Sequence, residues 1–157
     1  HRVDRRQRQM CIRDRFKFSS KYLKVYIEGI NMDSIKVFYD GKCGLCSKEI
    51  NYYIKIAPKN TFEWFDIATK PDDLKLIQAS QADALMLLHA QDKKLNLHIG
   101  VDAFALIWSE LKYWNLLSMI IKLPFINQLA KFIYNVFAKY RFKNLKHCQM
   151  ASGKVIK

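Results

Sequence analysis

The chain has 157 residues, half of them apolar and 13% aromatic, with a formal charge of +13. Such a chain holds one domain with a core, which excludes wholesale disorder and leaves little room for a second domain. The charge is uneven: residues 1–31 carry nine Lys/Arg against three Asp/Glu, and the +7 left on the remainder is a solubility charge with a basic lean rather than a nucleic-acid signature.

His1 to Arg15 shows neither strand nor helix periodicity, and Met32 stands just ahead of the first strand pattern. Residues 1–31 are read as a non-native or leader segment and set aside from the fold. The domain is expected over 33–150, with a flexible tail at 151–157. No apolar h-region marks a secretory signal. No apolar run reaches the roughly 18–20 residues of a membrane span, since 116–126 is interrupted by Lys122 and Pro124.

Ile35 to Tyr39 is a β-branched and aromatic run ended by Asp40-Gly41, which predicts a strand and a turn. A helix is expected from Cys43 or Gly44, with Cys46, Ile50, Tyr53, Ile54 and Ala57 on one face and Pro58 ending it. Thr61–Ile67 reads as a second strand and Asp72–Ala79 as a short helix led by Pro71. Ala84–His89 reads as a third strand, Gln91–Lys94 as a hairpin turn, and Leu95–Ile99 as a fourth strand. The rest is helical. Phe104, Ile107, Trp108 and Leu111 make one stripe. Pro124 opens a long last helix whose stripe, Leu129, Phe132, Ile133, Val136, Phe137 and Tyr140, is expected to dock on the domain. Its Lys131, Lys139 and Arg141 are expected to face water.

The order β-α-β-α-β-β, with a CxxC at the first strand-to-helix junction, predicts an α/β thioredoxin-like sheet with extra C-terminal helices. Cys43 falls at the helix N-terminus, where free N–H groups and the helix dipole favour a thiolate, and Lys42 is a candidate either to tune that thiolate or simply to be solvated. Cys43 is therefore the candidate nucleophile, exposed to solvent. Cys46 begins the apolar stripe and is the candidate resolving thiol, turned toward the core. Asp40 is a candidate for proton transfer from Cys46 or for capping the turn. Gly41 and Gly44 leave room for a substrate backbone.

The segment Asp40-Gly41-Lys42-Cys43-Gly44-Leu45-Cys46 after a strand resembles the DCC family of predicted thiol-disulfide oxidoreductases. Ile99-Gly100-Val101-Asp102-Ala103 is similar to that family's G-x-D-A segment. Tyr134 to Phe142 is similar to its closing Tyr…Ala…Arg-aromatic helix, and Cys148 to a late cysteine. The resemblance covers roughly 34–148 and implies a thioredoxin-like fold and dithiol–disulfide exchange with a protein or small thiol partner. One departure from thioredoxins proper is a missing cis-proline before the third strand, a position expected near 81–83; the chain's prolines are Pro58, Pro71 and Pro124.

The competing reading is a metal-binding module, with Cys43 and Cys46 joined by His147 and Cys148 as a Cys₃His zinc set, although adjacent ligands are poor zinc spacing. Cys148 otherwise reads as a third redox cysteine if the C-terminal tail folds back to the CxxC, or, as the favoured reading, as a free tail thiol; Cys11 reads as a residue without a role. His89 and His98 read as polar members of the hairpin, Trp64, Trp108 and Trp114 as core, and Asp102 as an N-cap. The basic segment Lys131–Lys146 is a candidate for weak contact with anionic lipid, though docking on the domain is favoured. No organic cofactor and no nucleic acid are expected, and the compartment is expected to be reducing, the cytoplasm.

Overall fold

The computed structural model describes residues 33–153. The segment 1–31, with Cys11, and the last four residues lie outside them.

Strand β1, Ile35–Tyr39, forms as expected and is buried along most of its length. Helix α1, Gly44–Ile56, follows, with Cys43 as its N-cap and Pro58 just beyond its end. It buries Ile50 and Tyr53, while Ile54, placed on the same face by sequence, is exposed. Strand β2, Phe62–Asp66, pairs parallel with β1, the crossover being α1. A 3₁₀ helix over Pro71–Leu76 replaces the expected short α-helix there.

The third strand differs from expectation. Residues Gln81–Met86 form helix α2, and strand β3 is His89–Gln91. The reason is local. The Ser80 hydroxyl accepts the Asp83 N–H at 3.1 Å and donates to the Asp83 carboxylate at 2.6 Å, a reciprocal cap that commits the segment to a helical turn. The loop ahead of β3 is thus Leu87-Leu88, not 81–83, and no described peptide bond is cis. Strand β4 is shorter than expected, Leu97–Ile99, because Leu95 sits in the turn at a φ of 65° and the Asp92 carboxylate gathers the Lys94 and Asn96 N–H groups.

The sheet order is β2-β1-β3-β4, with β3 antiparallel to both of its neighbours. That is the thioredoxin-like arrangement. Four helices complete the described residues: α3 (Val101–Glu110), α4 (Asn115–Ile121), α5 (Pro124–Asn144) and α6 (Lys146–Ala151). Gly100, at a φ of 62°, is the N-cap of α3; Asp102 lies inside its first turn and instead pairs with Lys131 at 2.7 Å. Lys131 is therefore not simply solvated.

Alternation along β1 sends side chains to two cores. Ile35 and Val37 pack with Ile50 and Tyr53 of α1, Ala90 of β3, and Ala103 and Ile107 of α3. Phe38 packs on the other face with Ile67, Leu74, Ala84, Leu85 and Cys148. Trp108 donates to the Tyr53 hydroxyl at 2.8 Å, which donates to Glu49 at 2.7 Å, so the first core carries a satisfied polar chain. Trp114 stacks on Trp108, in keeping with the expected core role of both.

Candidate functional site

The carboxylate of Asp40, at the end of β1, organises the first turn of α1. Its Oδ1 accepts the backbone N–H groups of Lys42 at 3.1 Å and Cys43 at 3.2 Å. The capping role weighed for it is thereby realised. Behind it, Asp66 at the end of β2 accepts the Gly41 N–H at 3.0 Å and locks the turn to the sheet. A Cβ on Gly41 would collide with that carboxylate, which is why a glycine stands there.

Cys43 then caps α1. Its sulfur accepts the Cys46 N–H at 3.5 Å. This contact folds the side chain inward over the first turn, and Cys43 is only 3% exposed. The expected exposed nucleophile is thus buried, and Cys46, expected to be shielded, is the half-buried member. Cys46 lines a small crevice with Tyr39, Asp40, Glu49, Leu85, Leu87, Tyr134 and Arg141.

Arg141 corrects a second expectation. It does not face water; its side chain is 10% exposed. It donates to Cys46 Sγ at 2.8 Å, to the Met86 carbonyl at 2.9 Å and to the Leu85 carbonyl, and lies 3.6 Å from Asp40 Oδ2. Tyr134, Ala138 and Arg141, at steps of four and three, form the docked face of α5, with the Tyr134 hydroxyl accepting the Leu88 N–H at 3.2 Å. The cation beside the sulfurs is this arginine. Lys42 is exposed and contributes only its backbone N–H.

The two thiols are driven apart in acidity. Burial pushes Cys43 up, but hydrogen bonds from the Cys46 thiol, the Arg141 guanidinium and the Cys46 N–H outweigh it, and Cys43 ends below the ordinary cysteine value. Burial and donation to Cys43 push Cys46 up to about 12. The two thiols titrate as a pair, with Cys43 the more acidic member.

Helix α6 folds back to the same place. His147 Nε2 lies 2.9 Å from both Asp40 oxygens, and Cys148 Sγ lies 3.6 Å from Oδ2. Cys148 is a free thiol, as expected, but it is fully buried in the second core rather than carried on a loose tail, and burial pushes it up to about 12. Asp40, His147 and Cys148 bring three metal-capable atoms within 4.8 Å of one another. The zinc set expected from sequence is thus split: His147 and Cys148 gather on Asp40, and neither CxxC sulfur belongs to that group. The Asp40 carboxylate in it already faces Arg141 and two backbone N–H groups, which oppose a cation there. Of the hairpin histidines, His89 is buried with Nδ1 on the Leu87 carbonyl, and His98 pairs with Asp92 at 3.3 Å; neither reaches the cysteines.

Sequence reasoning missed the placement of Arg141 and the Asp40–His147 contact. A signal for the first exists in the 134/138/141 spacing, where a small residue stands between two polar ones on one helical face. No spacing rule joins residue 40 to residue 147.

A paired dithiol at a helix N-terminus, on a sheet of this order, defines a thioredoxin-like redox protein. The chain belongs to the DCC1-like thiol-disulfide oxidoreductase family, whose model matches residues 37–146. An uncharacterized chloroplastic protein of Arabidopsis thaliana is 32% identical over 112 residues, 69% of this chain and 51% of that protein, so the chain spans about half the length of this curated relative. No solved structure matches the chain.

Proposed function

We propose that Cys43 and Cys46 exchange a dithiol for a disulfide with a protein or low-molecular-weight partner, Cys43 attacking and Cys46 resolving. The Cys43 thiolate attacks a substrate disulfide; one substrate sulfur leaves as a thiol and a mixed disulfide forms. Cys46 then gives up its proton and attacks the Cys43 sulfur, releasing the second substrate thiol. Two electrons pass to the substrate, and the protein is left with a Cys43–Cys46 disulfide. A thiol pool in a reducing compartment, taken here as the cytoplasm, restores the dithiol.

The observation that supports this assignment is the pairing of the two sulfurs at the N-terminus of α1 beside Arg141, with Cys43 the N-cap and the more acidic of the two. Because Cys43 is buried, its attack on a substrate sulfur requires a local opening of the first turn of α1. Asp40 is the acceptor for the Cys46 proton, and partly exposed His147, bonded to both Asp40 oxygens, links it to solvent.

The test is trapping. Cys46→Ser should accumulate a mixed disulfide with glutathione through Cys43, and Cys43→Ser should not. Trapping only in Cys43→Ser reverses the roles; trapping in neither variant, with no insulin reduction by the wild type, ends the redox reading.

A further inference from the structure

The apolar stripe of α5, expected to dock on the domain, is bare. Phe125 is 89% exposed, and Leu129, Phe132, Ile133, Val136, Phe137 and Tyr140 are all exposed as well. At 100° per residue they cover an arc of about 140°, wider than the coiled-coil seam that one partner helix would fill. The opposite face, with Tyr134, Ala138 and Arg141, holds the domain. Preceding α4 adds exposed Leu116, Met119 and Ile120. No single described helix is long and apolar enough to cross a membrane; α4 and α5 reach that length and hydropathy only together, and they are broken by a 93° bend.

Charge indicates what covers this face. Glu110 is the last acidic residue of the chain. Beyond it Lys112, Lys122, Lys139, Lys143 and Lys146 are exposed. A second copy laid on α5 would bring lysines together with no carboxylate to answer them. A helix with an aromatic and aliphatic face, flanked by lysines and free of acids, has the composition of one that lies in a lipid headgroup layer. We propose that α5, with α4 beside it, seats this protein peripherally on an anionic membrane surface. The phenylalanines and leucines enter the acyl boundary while the lysines meet lipid phosphates. The redox pair would then work at that surface, on α5's opposite side.

The experiment is co-sedimentation of the full chain with phosphatidylglycerol/phosphatidylcholine vesicles, with phosphatidylcholine vesicles alone, and with a Phe132→Glu/Val136→Glu variant. Both substituted positions are exposed, so the variant keeps the fold, as circular dichroism would check. The wild type should pellet with anionic vesicles, fall off as salt rises from about 0.1 to 0.5 M, and be extracted by alkaline carbonate. The variant should partition at least about tenfold more weakly. Equal partitioning by the variant would mean that binding arises elsewhere, for example from the basic residues 1–31, and overturns the proposal. So would no vesicle binding, resistance to carbonate, or a wild-type dimer that the variant abolishes.

Discussion

Replacing Arg141 by Met removes the guanidinium and keeps a chain of similar length. The Leu85 and Met86 carbonyls lose a charged donor, and Asp40, its side chain 2% exposed, loses its nearest permanent cation. Orphaned buried carbonyls cost about 1–3 kcal/mol each. Breaking one side of a buried ion pair costs about 3–5 kcal/mol. These costs overlap, because His147 and two N–H groups still serve Asp40, so a total loss of about 3–5 kcal/mol is expected. Set against a domain stability of about 5–15 kcal/mol, that is a large share of the total, and the urea midpoint should fall by roughly 2 M. The same change should raise the Cys43 pKa toward the ordinary cysteine value, since Arg141 is among the groups holding it down. Tryptophan fluorescence reads the midpoint, and iodoacetamide alkylation against pH reads Cys43. Arg141→Lys, which keeps the charge and loses the fork, should fall between the two. An unchanged midpoint together with an unchanged alkylation profile would refute this account of Arg141; a lowered midpoint with an unmoved profile would refute its electrostatic half.

Two further outcomes follow from the site. Cys148 is held neutral in the fold up to about 12 and ionises near its ordinary 9.0 once unfolded. A raised thiol pKa means stability is fully present below the unfolded value and lost as pH climbs toward the folded one; at pH 10 the loss is about 1.4 kcal/mol. Cys148→Ala should flatten the decline of the urea midpoint between pH 8 and 10, and an equally steep decline would remove Cys148 as its source. Gly41→Ala drives a methyl into the Asp66 carboxylate and should cost about 1–3 kcal/mol by thermal unfolding. In an Asp66→Ala background, itself weakened by loss of the hydrogen bonds to Gly41, Ala68 and Thr69, Gly41→Ala should cost much less than in the wild type, whereas a Gly41→Ala protein as stable as the wild type would show that Asp66 yields freely.

Much of this protein is decided within short stretches of chain. The β-branched run at 35–39, the Asp-Gly turn, the CxxC and the 3.6-residue stripe after it specify a strand, a turn and a helix with sulfurs at its start. Those are local preferences, and they hold. Short apolar runs are less decisive: Ala84-Leu85-Met86 fits either period, and the Ser80–Asp83 cap settles it as helix. Periodicity also marks a helical face without saying whether anything lies against it. The stripe of α5 is real and faces outward, because the polar face with Arg141 reaches buried carbonyls and a sulfur that water cannot serve.

The two cysteines and their spacing are written in the sequence; their inequality is not. It depends on burial and on the hydrogen bond between the two cysteines, with an arginine 95 residues after Cys46 helping to lower Cys43 and the Asp40 carboxylate helping to raise Cys46. Only the folded chain brings these groups within hydrogen-bonding reach. Coulombic and hydrogen-bonding effects on a thiol fade within a few ångströms, so acidity, burial and access at the pair belong to the tertiary structure.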